Sequence, residues 1–399
     1  MPGTRRRAEA LAMELGGRVQ ETPAGPLLVV ETEVDLPLER HRLAGLPFAG
    51  ISGGPLVCLD LETTGLGTGS GTLAFLVGLG IWHGSRLMVR QYVLPDHADE
   101  EALLAALRTT ITDDACLVTY SGRSFDWPLL VTRFRLHRRD PPLPASHLDL
   151  LPIARQLWRH RLGNARLATI EAAVCGVERQ DDLPGALIPE RYFGYLRLRR
   201  GEVLRAVVEH NRQDIISMGQ LLQVLSVQLS ARGDRQAAHP GDLAGLARAY
   251  ARRGSHADAL ACLEIALASP AWANGIEGGG ALYRRLATDR AKTLARLGRR
   301  TDALVAWRAL AERGGPGAAL AWLRVASHKE HFERDLQAAL DACRQAADVC
   351  SKARSWGRPL HAAERDLARR SARLHRRLAA VRFRPGRRTR DSPCRSLPA

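Results

Sequence analysis

The sequence predicts an α/β domain followed by an all-α helical-repeat domain. Three observations carry this. Between residues 51 and 232, apolar strand-like runs alternate with amphipathic helical stretches. Beyond Pro240 the strand signals stop. There a short unit recurs, with Gly254 and Ala259-Leu260 returning 44 residues later as Gly298 and Ala303-Leu304, and a weaker copy placing Ala339-Leu340 a further 36 on. A chain of 399 residues, 45% of them apolar, is long enough for more than one core.

Residues 1–50 read as an N-terminal extension, a helix over about 5–15 followed by short apolar pieces such as PLLVVETEV. LVCLDL is a nearly continuous apolar run and predicts a buried strand. TLAFLVGLGIW and RLMVRQYVL are two more, and the short His83-Gly84-Ser85 connection predicts an antiparallel hairpin. ADEEALLAALRTTI has a helical repeat with acids in its first turn, where the helix dipole favours them. ACLVTY predicts another strand, and Pro128 opens a helix reaching His137. Helical stretches over 149–161 and 166–175 precede the loop QDDLPGALIPERY, and a long helix over about 202–229 closes the domain. From 240 to 380 the repeat favours a tetratricopeptide-like solenoid, with an ordinary helical bundle as the alternative. Residues 381–399 read as a basic disordered tail.

The 58 basic residues, nearly all Arg, outnumber 42 acids, and most of the net +16 lies from Arg354 onward, where fourteen Arg face three acids. This suits phosphate contact and a nucleic-acid partner, while a solvated Arg-rich helix surface is the plainer reading. Seven cysteines show no C-x-x-C pair, so neither a zinc site nor a disulfide framework is indicated, which fits a reducing cytoplasm. The basic N-terminus lacks the apolar core of a secretory signal, and the longest apolar run, LAFLVGLGIW, is too short to span a bilayer. The expectation is a soluble cytoplasmic protein.

Chemistry concentrates in three places. In VCLDLETTG, Asp60 and Glu62 are two apart on a strand and project from the same face. Two such carboxylates at a partly buried strand end repel unless a proton or a cation is shared. In SFDWPLL, Asp126 sits between a strand and a helix; standing alone it reads first as a helix N-cap. In EHNRQDII, His210 and Asp214 lie four apart and interrupt the apolar line Val203, Val207, Ser217, Leu221 of the closing helix. Four acids and one imidazole suit two-metal phosphoryl chemistry, with oxygen-loving Mg²⁺ or Mn²⁺ as the two ions. Asp149 reads first as a helix N-cap, and Trp127 as a packing residue before a base-stacking one.

DLETTG, YSGRSFDWP and HNRQD resemble the three exonuclease motifs of the DEDD superfamily in the ribonuclease H-like fold. Within that superfamily the chain resembles the bacterial YprB-like ribonuclease H-like domain proteins, over roughly residues 20–230 and in its helical repeats. The resemblance implies a mixed central sheet flanked by helices and 3′–5′ exonuclease activity on DNA or RNA. It also implies that Asp60, Glu62 and Asp214 hold one metal, that Asp60 bridges to a second bound by Asp126, and that His210 is the general base. Thr63, Thr64, Gly65, Ser121 and Phe125 would lie against substrate, and the repeats would take a protein partner. Two positions depart from the family: Ser121 stands where Asn is common, and His210 precedes Asp214 by four residues, the spacing usual for the tyrosine subclass. A binding scaffold with weak catalysis is the alternative of another class.

Overall fold

The computed structural model describes residues 2–48, 53–65, 67, 69, 71–180, 182–230, 233–273 and 279–382. The chain forms two units, Met1–Asn274 and Gly275–Ala399. In the first, α1 (Pro2–Leu15) precedes β1 (Arg18–Thr22), β2 (Gly25–Asp35), β3 (Leu56–Thr63), β4 (Ala74–His83) and β5 (Arg86–Val93). After α2 (Glu100–Thr110) come β6 (Cys116–Thr119), α3 (Asp126–Leu136), β7 (Ser146–Asp149) and α4 (Leu150–Leu157). The remaining principal helices are α5 (Ile188–Leu198), α6 (Arg205–Val224), α7 (Pro240–Arg252) and α8 (His256–Leu267).

The seven strands make one mixed sheet in the order β1-β2-β5-β4-β3-β6-β7. β4 and β5 pair antiparallel from Leu76↔Val93 to His83↔Arg86, so Gly84-Ser85 closes the expected hairpin with Gly84 at a φ of 63°. β3 runs antiparallel to β4 but parallel to β6, which is parallel to β7. β3 and β6 are buried along almost their whole length and mostly apolar, as buried parallel strands are, while β7 is only partly buried. Leu59, Leu79, Phe75, Val77, Leu103, Leu107, Leu129 and Phe134 are among the fully buried core residues.

The expected N-terminal extension is part of this sheet. The run GPLLVVETEVD cannot leave five consecutive buried residues without a partner, and it pairs with β5 from Leu28↔Val93 to Asp35↔Arg86. β7 was not expected: SHLD is four residues long, three of them polar, and takes strand form by pairing with β6. α3 begins at Asp126, two residues before Pro128, because a proline in the first turn forfeits no helical hydrogen bond.

Two glycines decide how α6 lies on the sheet. A Cβ at Gly78 would sit 2.2 Å from the Asn211 Oδ1, and one at Gly80 would sit 2.6 Å from Ile215 Cγ2. Bare backbone on β4 therefore lets α6 approach until its polar residues stand over β3.

The helix pair α7–α8, in sequence the first copy of the repeat, packs with the first unit: Arg161 pairs with Asp242, Gln156 Nε2 donates to Gly245 O at 3.1 Å, and Tyr250 OH donates to Gly45 O at 2.9 Å. The second unit comprises α9 (Gly279–Arg296), α10 (Arg300–Arg313), α11 (Ala318–His328), α12 (Leu336–Ser355) and α13 (His361–Arg382), each packed against the next. The two repeat turns match in detail. Gly254 and Gly298 have φ of 79° and 75°, and the bonds Ser255 N→Tyr250 O and Arg299 N→Leu294 O are both 3.0 Å. In the second unit, buried Glu330 takes Arg370, Arg373 and Arg377 from α13. The expected basic tail lies, from residue 383, outside the described residues. No helix among the described residues is long and apolar enough to cross a membrane.

Candidate metal centre

Three elements converge on one cavity of about 360 Å³, lined by Asp60, Glu62 and Thr63 of β3, by Tyr120, Ser121, Phe125 and Asp126 after β6, and by His210 and Asp214 of α6. The sequence-predicted acids thus come together although they are spread over 155 residues of chain. A register shift between Glu62 and Thr63 ends the regular β3–β4 ladder beside the two acids. Glu62 and Asp126 are only 8% and 7% exposed, so these charges lie largely out of water.

Burial raises all four carboxyl groups, and repulsion within the set adds to it for Asp60, Glu62 and Asp126. Burial pushes Asp60 well above the usual carboxylate range, and the charges of Asp214, Glu62 and Asp126 add to this. Glu62 is raised by burial, then by Asp214 and Asp126. Burial, then Asp149 and Asp214, pushes Asp126 up to about 7. Asp214 is raised by burial against the opposing pull of Arg179 and His210. Such a set is unsatisfied electrostatically and made wholly of hard oxygen donors, which fits a divalent cation of the magnesium or manganese kind.

No three His, Cys, Asp or Glu side chains among the described residues are already drawn to ligating distance of a common point. Two acids are engaged by cationic or amide donors instead. Asn211 Nδ2 donates to Asp60 Oδ2 at 2.8 Å and to Asp60 O at 3.3 Å, and Arg179 Nη2 donates to Asp214 Oδ1 at 2.5 Å. Asn211 is itself oriented by Gln91, whose Nε2 donates to Asn211 Oδ1 at 2.9 Å and to Val208 O at 2.7 Å.

Sequence reasoning missed Asn211, Arg179, Asp182 and Glu171. Arg179 binds the fully buried Glu171 through Nε and Nη2, at 3.1 and 2.7 Å, and reaches Asp182 Oδ2 at 3.2 Å. His210 faces two acids, with Nδ1 at 2.6 Å from Asp182 Oδ1 and Nε2 at 3.8 Å from Asp214 Oδ2. The signal for Asn211 was present in the glycine of FLVGLG, which opens the space it fills. For Arg179 and Asp182 there was none, since ERQDDL reads as an ordinary polar turn.

The other sequence-predicted residues take several places. Ser121 lines the cavity at a φ of 72°, a left-handed conformation in which Asn is favoured over Ser. Phe125 lines the cavity at the start of α3. Thr63 Oγ1 donates to Gly65 O at 2.7 Å, and Thr64 Oγ1 accepts from Leu73 N at 3.0 Å, so these hydroxyls shape the turn after β3. Thr64 and Gly65 stand outside the cavity lining. Asp149 is the N-cap of α4, accepting from Leu151 N at 3.0 Å, and it also takes Ser121 N at 2.9 Å and Arg123 N at 3.2 Å. Trp127 packs against the core edge-on to His147.

Residues 57–226, from β3 to the end of α6, match the family model RNase_H_2, described as RNase_H superfamily. Over 165 residues the chain is 40% identical to an uncharacterized protein, YprB, of Bacillus subtilis (strain 168), covering 41% of this chain and 40% of that protein. The chain therefore spans well under half the length of this relative. The matched segment holds every cavity acid. With the mixed sheet, its covering helices and the shared cavity already in place, residues 57–226 are a ribonuclease H superfamily domain.

Proposed function

We propose that the chain is a metal-dependent nuclease, and specifically a 3′–5′ exonuclease acting on DNA or RNA. The observation that carries this is the convergence of Asp60, Glu62, Asp126 and Asp214 on one cavity, with every carboxyl raised by burial. Asp60, Glu62 and Asp214 would hold one ion and Asp60 with Asp126 the other. Two bound Mg²⁺ or Mn²⁺ ions would supply stabilisation of the attacking and leaving oxygens of the phosphodiester. Within the chain, Asn211 fixes the Asp60 carboxylate by one oxygen and leaves the other for a ligand. His210 takes the proton of the attacking water at Nε2, the nitrogen turned toward Asp214. Thr63, Ser121 and Phe125 line the space for the terminal nucleotide. The helical repeats are the surface for a protein partner.

The test uses single-stranded, duplex and branched DNA and RNA, labelled at either end, with the full chain in Mn²⁺ or Mg²⁺. Shortening from the 3′ end is expected, falling to background in Asp60→Ala and Asp214→Ala and by about 10²–10⁴-fold in His210→Ala. Cleavage persisting in both Asp variants overturns the reading. A second reading, a nucleic-acid-binding scaffold, is favoured by the Arg179–Asp214 pair, which already neutralises one ligand. It predicts oligonucleotide binding with neither turnover nor stabilisation by millimolar Mn²⁺.

A further inference from the structure

The loop between the short helix at 171–175 and α5 supplies Asp182, a residue outside the four-acid set, to the imidazole of His210. Its carboxylate is held at both oxygens: Oδ1 meets His210 Nδ1 at 2.6 Å and Oδ2 meets Arg179 Nη1 at 3.2 Å. Arg179 does not drift, because its other nitrogens bind Glu171, a side chain with no solvent exposure, and Asp214. A continuous chain of charge-assisted bonds therefore runs from the buried floor to the imidazole, as Glu171, Arg179, Asp182 and His210.

The geometry points to Asp182 as the positioning residue of the general base, holding the His210 Nδ1 so that Nε2 faces the cavity; this rests on the nuclease reading given above. An imidazole that donates from Nδ1 carries its free lone pair on Nε2, so one contact fixes both tautomer and ring direction. It also answers the four-residue spacing between His210 and Asp214. On a helix that spacing places the ring beside Asp214 rather than beyond it, and without an outer partner a flip of the ring would put a carbon where Nε2 stands. Asp182 removes that freedom from the side away from Asp214. Asp182 is not among the residues lining the cavity, so it acts on the reaction by positioning His210 rather than by touching substrate.

The experiment is a kinetic cycle on the full chain with Mn²⁺ and an end-labelled oligonucleotide. Asp182→Ala is expected to lower kcat by about 10–100-fold, with KM and the Mn²⁺-induced rise in Tm within about twofold of wild type. Asp182→Asn, whose amide oxygen still accepts from Nδ1, should recover part of the loss. In a His210→Ala background, Asp182→Ala should cost within about twofold of nothing further. An equal loss in both backgrounds, or an unchanged kcat in wild-type background, overturns the inference. Imidazole ¹⁵N–¹H spectra distinguish this from failure of the nuclease reading. A hydrogen-bonded His210 Nδ1–H that Asp182→Ala abolishes supports the pairing even in a protein that turns over no substrate. A His210 whose Nδ1 carries no such proton overturns it whatever the activity.

Discussion

Arg179→Met is the substitution whose cost the structure sets most firmly. Glu171 has no exposed side-chain surface, and Arg179 is 10% exposed and meets both of its oxygens. Removing one partner of a buried pair costs about 3–5 kcal/mol, because the survivor keeps its charge without water. Glu171 retains one neutral donor, Gln213 Nε2 at 3.3 Å, which places the loss near the lower bound, about 3 kcal/mol. Methionine keeps the apolar stem packed, so the loss reports charge rather than volume. Adding Glu171→Leu removes the stranded carboxylate and should return most of the stability, since an apolar pair replacing an ion pair is often neutral. Urea titration read from hydrogen exchange of β3 and β4 reports the first unit separately from the second. A single variant within about 1 kcal/mol of wild type, or a double variant no better than the single, would refute the reasoning.

Three further outcomes follow from the same cluster. The raised carboxyl groups bind more protons folded than unfolded, so without metal the stability they contribute is fully present below about pH 4 and is lost as pH rises, for Asp126 through about 7. For Asp126, moved from 3.8 to about 7, the span is on the order of 4 kcal/mol. Melting in EDTA should therefore show a falling Tm from pH 4 to 8, and Mn²⁺ should flatten it. Gly78→Ala places a methyl 2.2 Å from Asn211 Oδ1 and should cost about 1–3 kcal/mol while moving Asn211 off Asp60, seen as lower melting together with lower nuclease rate. Ser121→Asn, at a φ of 72°, should stabilise the first unit by up to about 1 kcal/mol in the same urea titration.

Much of this was legible in the sequence because the signals were local. LVCLDL, the hairpin at Gly84-Ser85 and the His210/Asp214 face each depend on residues within one turn or strand. The cavity could be assembled because Asp60 and Glu62 end β3, Asp126 follows its parallel neighbour β6, and His210 and Asp214 share one face of α6. Elements that depend on distant partners were hidden. SHLD becomes a strand only beside β6, and GPLLVVETEVD joins the sheet only through β5. Arg179 lies in a polar loop whose inward turn is dictated by Glu171, buried at the start of a short helix, and the residue types alone do not announce that direction. The boundary after the first helix pair was hidden likewise. The repeat marks α7–α8 as kin of α9–α10, but Gln156, Arg161 and Gly45 bind it into the first unit.

The central claim is that Asp60, Glu62, Asp126 and Asp214 hold divalent cations. Anomalous diffraction from crystals grown with Mn²⁺ tests it most directly. The account predicts manganese signal inside the cavity, with carboxylate oxygens of Asp60 and Asp214 at roughly 2.0–2.2 Å and Arg179 displaced from Asp214. Crystals saturated with Mn²⁺ in which Arg179 still binds Asp214 and the cavity gives no signal would contradict it.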